Sequence, residues 1–206
     1  MAGYFLTLEG GEGAGKSTQA RLLAQALCAR GLTVLRTREP GGAPGAEILR
    51  TLLLSGDTAW STPAEALLHF AARAEHVEKT IRPALAAGMW VVCDRFADST
   101  LAYQGDGQGA DKSLIAALST LIKLTPDITF VLDVSEETAK SRLAQRGLDA
   151  DRYERQDTAF HARVNAGFRA IAEQAPGRCV PIDANADVGR VHDAILAGLA
   201  DRLGLA

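Results

Sequence analysis

Gly10-Gly11-Glu12-Gly13-Ala14-Gly15-Lys16-Ser17 fits G-x-x-x-x-G-K-[ST] without a mismatch, follows the apolar run Tyr4 to Leu8 and opens a helix-like stretch. Consecutive backbone N–H groups of such a turn, with the positive end of the next helix, form a concavity for anions. Lys16 can reach the β- and γ-phosphates of a nucleotide such as ATP, and the Ser17 hydroxyl can join the shell of a bound Mg²⁺. A tight turn needs glycine, but it does not need the Lys-Ser pair. The phosphate-binding set therefore runs from Gly10 to Thr18. Asp94-Arg95 follows an apolar run directly and offers a carboxylate for the metal and a guanidinium for a phosphate. Arg38 precedes Pro40-Gly41-Gly42, which must turn the chain. Arg142, Arg146, Arg152 and Arg155 alternate with Asp149, Asp151 and Glu154, the composition of a charged flap over a phosphate site as well as of a solvated helix end.

These groups need elements to hold them. Ala20, Leu23, Ala24 and Leu27 recur at helical spacing, and Gly31 sits where that helix would end. Thr33–Arg38 reads as a strand, Ala46–Leu54 as a helix, and Thr62-Pro63-Ala64-Glu65 as a capping box opening a helix that runs to about Ile81, where Pro83 would end or kink it. Trp90 to Cys93 and Ile128 to Val134 are continuous apolar runs, as expected of strands buried on both faces. Ser135 caps a helix that continues to Gly147; Val180–Asp183 is a last strand and 187–203 a last helix. Strands alternating with helices imply an α/β, doubly wound parallel sheet in one domain spanning residues 1–206, with ligands beyond the carboxyl ends of the strands. Gly10–Ser17, Arg38-Glu39-Pro40 and Asp94-Arg95 all fall at such ends.

Composition narrows the function. The 206 residues carry a net charge of −3, which argues against a general nucleic-acid or anionic-membrane binder. Cys28, Cys93 and Cys179 are odd in number and lack C-x-x-C spacing, so neither a disulfide framework nor a zinc site is indicated, and a reducing cytoplasm fits. No basic n-region and no run long enough to span a bilayer is present, so neither export nor insertion is expected. A GTPase would need N-K-x-D; only a D-x-x-G mimic, Asp106-Gly107-Gln108-Gly109, occurs, in a glycine-rich loop. A motor or transporter ATPase would need further domains. A small-molecule kinase is the economical class, with a GTPase-type switch or a non-catalytic nucleotide-binding regulator as the alternatives from other classes.

Arg38-Glu39-Pro40-Gly41-Gly42, Phe70-Ala71-Ala72-Arg73, Asp94-Arg95-Phe96 and Ser99-Thr100-Leu101-Ala102-Tyr103-Gln104-Gly105 resemble, in order, the signatures of the thymidylate kinase family. The resemblance extends along nearly the whole chain. It implies the P-loop nucleotide kinase fold with a five-stranded parallel sheet flanked by helices, a homodimer, ATP and Mg²⁺ as cofactors, and transfer from ATP to dTMP; another nucleoside monophosphate kinase is the alternative. By motif, Glu12 resembles the acid that approaches the deoxyribose 3′-hydroxyl. Arg38, with Pro40 beside it, and Arg95 resemble the clamps on the dTMP phosphate, Arg73 and Thr100 the readers of the thymine edge, and Tyr103 and Gln104 the wall beside the 2′ position. Ser17 and Asp94 are the metal candidates. Lys16, Arg95 and Arg152 are the catalytic candidates.

The resemblance is to the bacterial form, whose P-loop lacks arginine and whose lid supplies one. Asp151-Arg152-Tyr153-Glu154 matches that lid, at about 142–157, with Arg152 the transition-state arginine, Arg142 also a nucleotide-binding candidate, and Arg146 and Arg155 the other candidates. One departure stands out: the family commonly has phenylalanine four residues before the thymine-reading arginine, whereas this chain has His69 there and Phe70 one place later. At i, i+4 and i, i+3 from Arg73, either ring could share its face. The ungapped match of Ala71-Ala72-Arg73 gives the stacking slot to His69 and turns Phe70 inward. Protonation of His69 near its ordinary pKa of about 6.5 is then expected to alter affinity.

Overall fold

In a computed structural model, which describes residues 3–56, 58–147 and 152–204, five strands form one wholly parallel sheet. They are β1 (Phe5–Glu9), β2 (Val34–Arg38), β3 (Trp90–Asp94), β4 (Ile128–Asp133) and β5 (Cys179–Asp183), in the order β2-β3-β1-β4-β5. The helices are α1 (Lys16–Ala29), α2 (Pro44–Leu54), α3 (Thr62–His76), α4 (Arg82–Ala86), α5 (Ala97–Thr100), α6 (Lys112–Ile122), α7 (Glu136–Arg146), α8 (Thr158–Gln174) and α9 (Val188–Leu203), with π-helical turns at Val77–Ile81 and Leu101–Gly107.

Every residue of β1 is buried, which fits a central parallel strand covered on both faces. Side chains alternate across it. Leu6 and Leu8 join Leu23 and Leu27 of α1 and Ile195 and Leu199 of α9 on one face. Phe5 packs on the other with Val91, Cys93, Val77, Ile81 and Phe96. Thr7 on that second face meets Thr129 of β4, hydroxyl to hydroxyl at 2.8 Å, so neither polar atom is stranded. Asp127 sets the register of β4 by accepting the Phe5 N–H at 2.7 Å.

Three readings need correction. The capping box at Thr62 does not form: Ser61 is the N-cap, makes no side-chain cap bond, and Glu65 turns into the protein. Pro83 does not end the helix; the preceding π turn widens the backbone, Arg82 N–H bonds back to Val77, and the chain continues as α4 to Ala86. The segment before Gln108 is a π-helical stretch rather than a loop. Its glycines allow close packing, since a Cβ on Gly107 would lie 2.6 Å from Phe160 Cε2. Asp149 and Asp151 of the charged segment, and the side chain of Arg146, lie outside the described residues. Among the described residues no helix is long and apolar enough to cross a membrane.

Candidate active site

β1, β2 and β3 end side by side, with Leu8 and Arg38 both in register with Asp94, so the groups that follow them face one cleft of about 720 Å³. The P-loop leaves β1 through Gly10 and Gly13, both at positive φ. A Cβ on Gly10 would approach the Leu132 carbonyl to 2.4 Å, and one on Gly13 would meet the backbone of Ala139 at 2.7 to 3.0 Å, so the loop must lack side chains to fit under α7. Gly15, at φ 92, precedes α1 and offers no side-chain cap, which leaves the first N–H groups of that helix for an anion. Residues Glu12 to Thr18 line the cleft. Gly10 and Gly11 lie behind it and contribute carbonyls.

Lys16 is 6% exposed and its ammonium donates to the Gly11 carbonyl at 2.6 Å, folded back over the loop. Burial, with Arg95 nearby, pushes its pKa down to about 8 against the opposing pull of Glu12, Asp94 and Glu9. Ser17 Oγ donates to Asp94 Oδ2 at 2.5 Å, while Asp94 Oδ1 is buried without a hydrogen-bond partner. An orphaned carboxylate oxygen beside a serine hydroxyl and a phosphate cradle suits Mg²⁺, which is commonly held by one or two protein oxygens together with substrate phosphates. Among the described residues there is no group of three His, Cys, Asp or Glu side chains that could cage a metal, and such a site needs none. ATP therefore fits the loop and Mg²⁺ fits Ser17 and Asp94.

Arg95 adopts φ 70, and its backbone N–H bonds to Leu8 O at 3.0 Å, which swings the guanidinium across the loop. Nη2 donates to Glu12 Oε1 at 2.5 Å, Nη1 to Gly10 O at 3.2 Å, and the group lies 4.9 Å over the Tyr103 ring. Glu12 also accepts from Tyr103 Oη at 2.6 Å. Burial alone would raise the Glu12 carboxyl, but Arg95, Lys16 and the Tyr103 hydroxyl outweigh it and hold the pKa at about 2. Beneath them Glu9 accepts from Phe96 N–H and Ser99 Oγ, at 2.7 and 2.6 Å, and so clamps the turn that carries Arg95. Burial and the neighbouring Asp98 push the Glu9 pKa up to about 8.

At the far end of the cleft Arg73, 2% exposed, gives Nε to Glu39 and Nη2 to Phe96 O and Thr100 Oγ1. His69 is half-buried in the cleft wall, bonded to Tyr153 Oη at 2.8 Å. Phe70 does not line the cleft; it packs with Ala110 and Ile115, under the Arg73 guanidinium at 4.6 Å. Burial, then repulsion from Arg73, pushes the His69 pKa down to about 3, which corrects the expected titration near 6.5. Gln104 donates to Glu65 at 2.9 Å and to Tyr153 at 3.2 Å.

Two arginines differ from expectation. Arg38 reaches the cleft rim but is half-exposed and paired with Glu47 at 3.0 Å. Arg152 is not directed at the P-loop. Its Nη2 lies 2.5 Å from Oε2 of Glu65, a fully buried carboxylate that attracts the nearest cation. Arg142 reaches the loop, donating to Gly13 O at 3.4 Å and to Ala186 O at 2.9 Å, and Arg155 is exposed at the surface.

Several residues in and around the cleft were not read from the sequence. Glu9 and Arg50, which donates to Pro40 O at 2.6 Å, carry no local motif; Glu39, Glu65 and Tyr153 lie inside runs read as motifs that give them no ligand role. A weak signal existed for Glu39, since it lies inside the Arg38–Gly42 run, and for Glu65, since a charge inside an apolar helical face needs a partner.

The sequence model of the family described as thymidylate kinase matches residues 8–195. The thymidylate kinase of Chromohalobacter salexigens is 51% identical over 98% of this chain and 97% of its own, and that of Caulobacter vibrioides is 52% identical over 98% and 99%. The crystal structure of thymidylate kinase from Ehrlichia chaffeensis superposes with a TM-score of 0.79 at 38% identity, covering 97% of this chain and 99% of that one.

Proposed function

The chain belongs to the thymidylate kinase family, and from that premise and the cleft we infer a phosphotransferase in which each of the grouped charges has a place. It phosphorylates dTMP to dTDP with ATP and Mg²⁺.

The roles of individual residues are our reading. Lys16, freed from the Gly11 carbonyl, neutralises the β- and γ-phosphates, and the α1 N–H groups orient them. Ser17 and the orphaned Asp94 oxygen would hold Mg²⁺, which when bound would supply charge neutralisation at the transferring phosphoryl group. Arg95 fixes the acceptor phosphate opposite, with Arg38 able to leave the exposed Glu47 and join it. Glu12 and Tyr103 face the sugar. Arg73 presents its donors to the base, with His69 and Thr100 beside it. No general base is required, because a phosphate monoester is largely ionised at neutral pH, so catalysis consists of in-line placement and electrostatics. The segment at 142–157 acts as a lid over a single domain, with Arg152 leaving Glu65 to meet developing charge, and Arg142 staying on the loop.

The observation that carries this reading is the meeting, in one cleft, of a phosphate cradle with an unsatisfied Asp94 oxygen and a guanidinium with an unsatisfied Nη1. A homodimer is proposed through α2, α3 and α6. These helices pack in sequence and expose Ile48, Leu52, Leu67 and Leu121 at 46 to 72%. The three free cysteines favour a cytoplasmic setting. The test is a coupled assay for ADP with each nucleoside monophosphate. Lys16→Ala and Asp94→Asn are expected to lose most turnover on dTMP with unchanged circular dichroism, and near-wild-type turnover in both would remove the assignment.

A further inference from the structure

Arg73 is more constrained than a base-reading arginine needs to be to stay in place. Its Nε donates to Glu39 Oε2 at 2.8 Å and its Nη2 to Phe96 O and Thr100 Oγ1 at 2.9 and 3.1 Å. Its guanidinium carbon lies 4.6 Å from the Phe70 ring and 5.2 Å from that of Phe96. Only Nη1 is left, buried, without a hydrogen-bond partner, on a residue of the cleft wall. The other carboxylate oxygen of Glu39 meets His76 Nδ1 at 3.0 Å, and His76 Nε2 meets Thr37 Oγ1 at 2.8 Å. Glu39 accepts only, so Nδ1 carries the proton toward it. His76 is fully buried, Glu39 is 5% exposed, and they come from different elements, the end of β2 and the end of α3.

The backbone makes room for this chain of contacts. Gly42 has φ 85, and a Cβ there would lie 2.3 Å from His76 Nε2 and 2.6 Å from Thr37 Oγ1. Thr80 Oγ1 holds the same glycine by its carbonyl at 2.8 Å. A buried ion pair is weak evidence for stability, because desolvation offsets the Coulomb gain. A pair that spends one edge of a guanidinium and leaves its remaining nitrogen unpaired, on a residue of the cleft wall, is better accounted for by orientation.

We propose that Glu39, itself oriented by His76, is a positioning residue for base recognition: it fixes the plane of Arg73 so that Nη1 points at an acceptor atom of the pyrimidine. The proposal rests on the reading of Arg73 as the group that meets the base. Glu39 and His76 act through Arg73, to which Glu39 is bonded. They act on the dTMP end of the cleft and leave the nucleotide loop alone.

The experiment compares steady-state constants for dTMP and ATP, with thermal midpoints, in four variants of the full chain. Arg73→Gln tests the premise: its KM for dTMP should rise, and an unchanged KM would overturn the base-reading role and the positioning role with it. Glu39→Gln removes the carboxylate charge and leaves one oxygen where Arg73 Nε and His76 Nδ1 now have one each, the other position becoming an NH2 that cannot accept. It should raise the KM for dTMP by about tenfold to a hundredfold, with a much smaller effect on kcat and none on the KM for ATP. His76→Asn keeps a donor where Nδ1 stands, whereas His76→Gln places its amide where Nε2 stands and loses the Glu39 bond. The first should therefore stay closer to wild type in KM for dTMP than the second, at similar thermal midpoints. A merely structural role would move the midpoint and both substrates' constants together. The proposal is overturned if Arg73→Gln raises the dTMP KM while folded Glu39→Gln does not, or if the two His76 variants are indistinguishable. Should Glu39→Gln fail to fold, the His76 pair decides.

Discussion

Raising the pH above 8 should weaken nucleotide binding through Lys16. In the free protein burial and Arg95 hold the ammonium down to about 8. A diphosphate seated in the P-loop replaces the lost solvation and needs the charged form, so the pKa in the complex returns to at least its ordinary value of about 10.4. The sign follows from proton counting. Below pH 8 the free protein already carries the proton and binding takes none up. Above pH 8 the free amine is neutral, each bound nucleotide must recruit a proton, and affinity falls with rising pH. With 8 and about 10.4 as the two values, ADP affinity drops about 22-fold, or about 1.8 kcal/mol, between pH 7.5 and 9.5. Isothermal titration calorimetry in buffers of different ionisation heat measures both the loss and the proton uptake, which should approach one per site at pH 9.5. Glu9 titrates in the same window and its deprotonation favours the ammonium, so it works against the effect and cannot produce it. Lys16→Met separates the two: it should bind ADP weakly with little slope across this range. An affinity independent of pH in the native chain, or the same slope in Lys16→Met, would refute the reasoning.

Three further outcomes are expected. Arg152→Ala should lower kcat by about 10³-fold with little change in the KM for dTMP, the pattern of a contact made at the transition state, and steady-state kinetics showing Arg155→Ala as the more damaging change would reassign the role. His69→Phe should keep or tighten dTMP binding and His69→Ala weaken it. Because burial and Arg73 hold the His69 pKa down to about 3, dTMP affinity should show no His69 titration between pH 5.5 and 8. The folded state binds fewer protons than the unfolded chain below about 6.5, so the native chain should lose thermal midpoint as pH falls from 6.5 toward 3, by a margin that His69→Phe removes. Gly42→Ala forces a Cβ onto His76 at a left-handed φ and should cost about 2 to 4 kcal/mol in denaturant unfolding while raising the KM for dTMP; an unaltered midpoint would show that the loop yields without disturbing the His76 contacts.

The features legible before folding were local and periodic. The P-loop is eight consecutive residues whose function lies in their own backbone, so Gly10–Ser17 could be read without a partner in view. Buried parallel strands announce themselves as apolar runs, and β3 and β4 stand within a residue of where Trp90 and Ile128 placed them. Strand ends then put Arg38, Asp94 and Arg95 in one crevice by topology alone. Which charge meets which depends on the closed fold. Glu65 sits three residues after a threonine and reads as a cap, yet it is a buried acceptor for Gln104, Gln108 and Tyr153, 39 to 88 residues away in the chain. Pro83 reads as a stop or a kink, and a π turn before it lets the helix run on to Ala86. Arg152 matches a catalytic motif and still lies on Glu65, because a desolvated carboxylate takes the nearest guanidinium and sequence spacing carries no record of that distance. Periodicity encodes which face is buried; pairing energies depend on separations in space that only the closed fold creates.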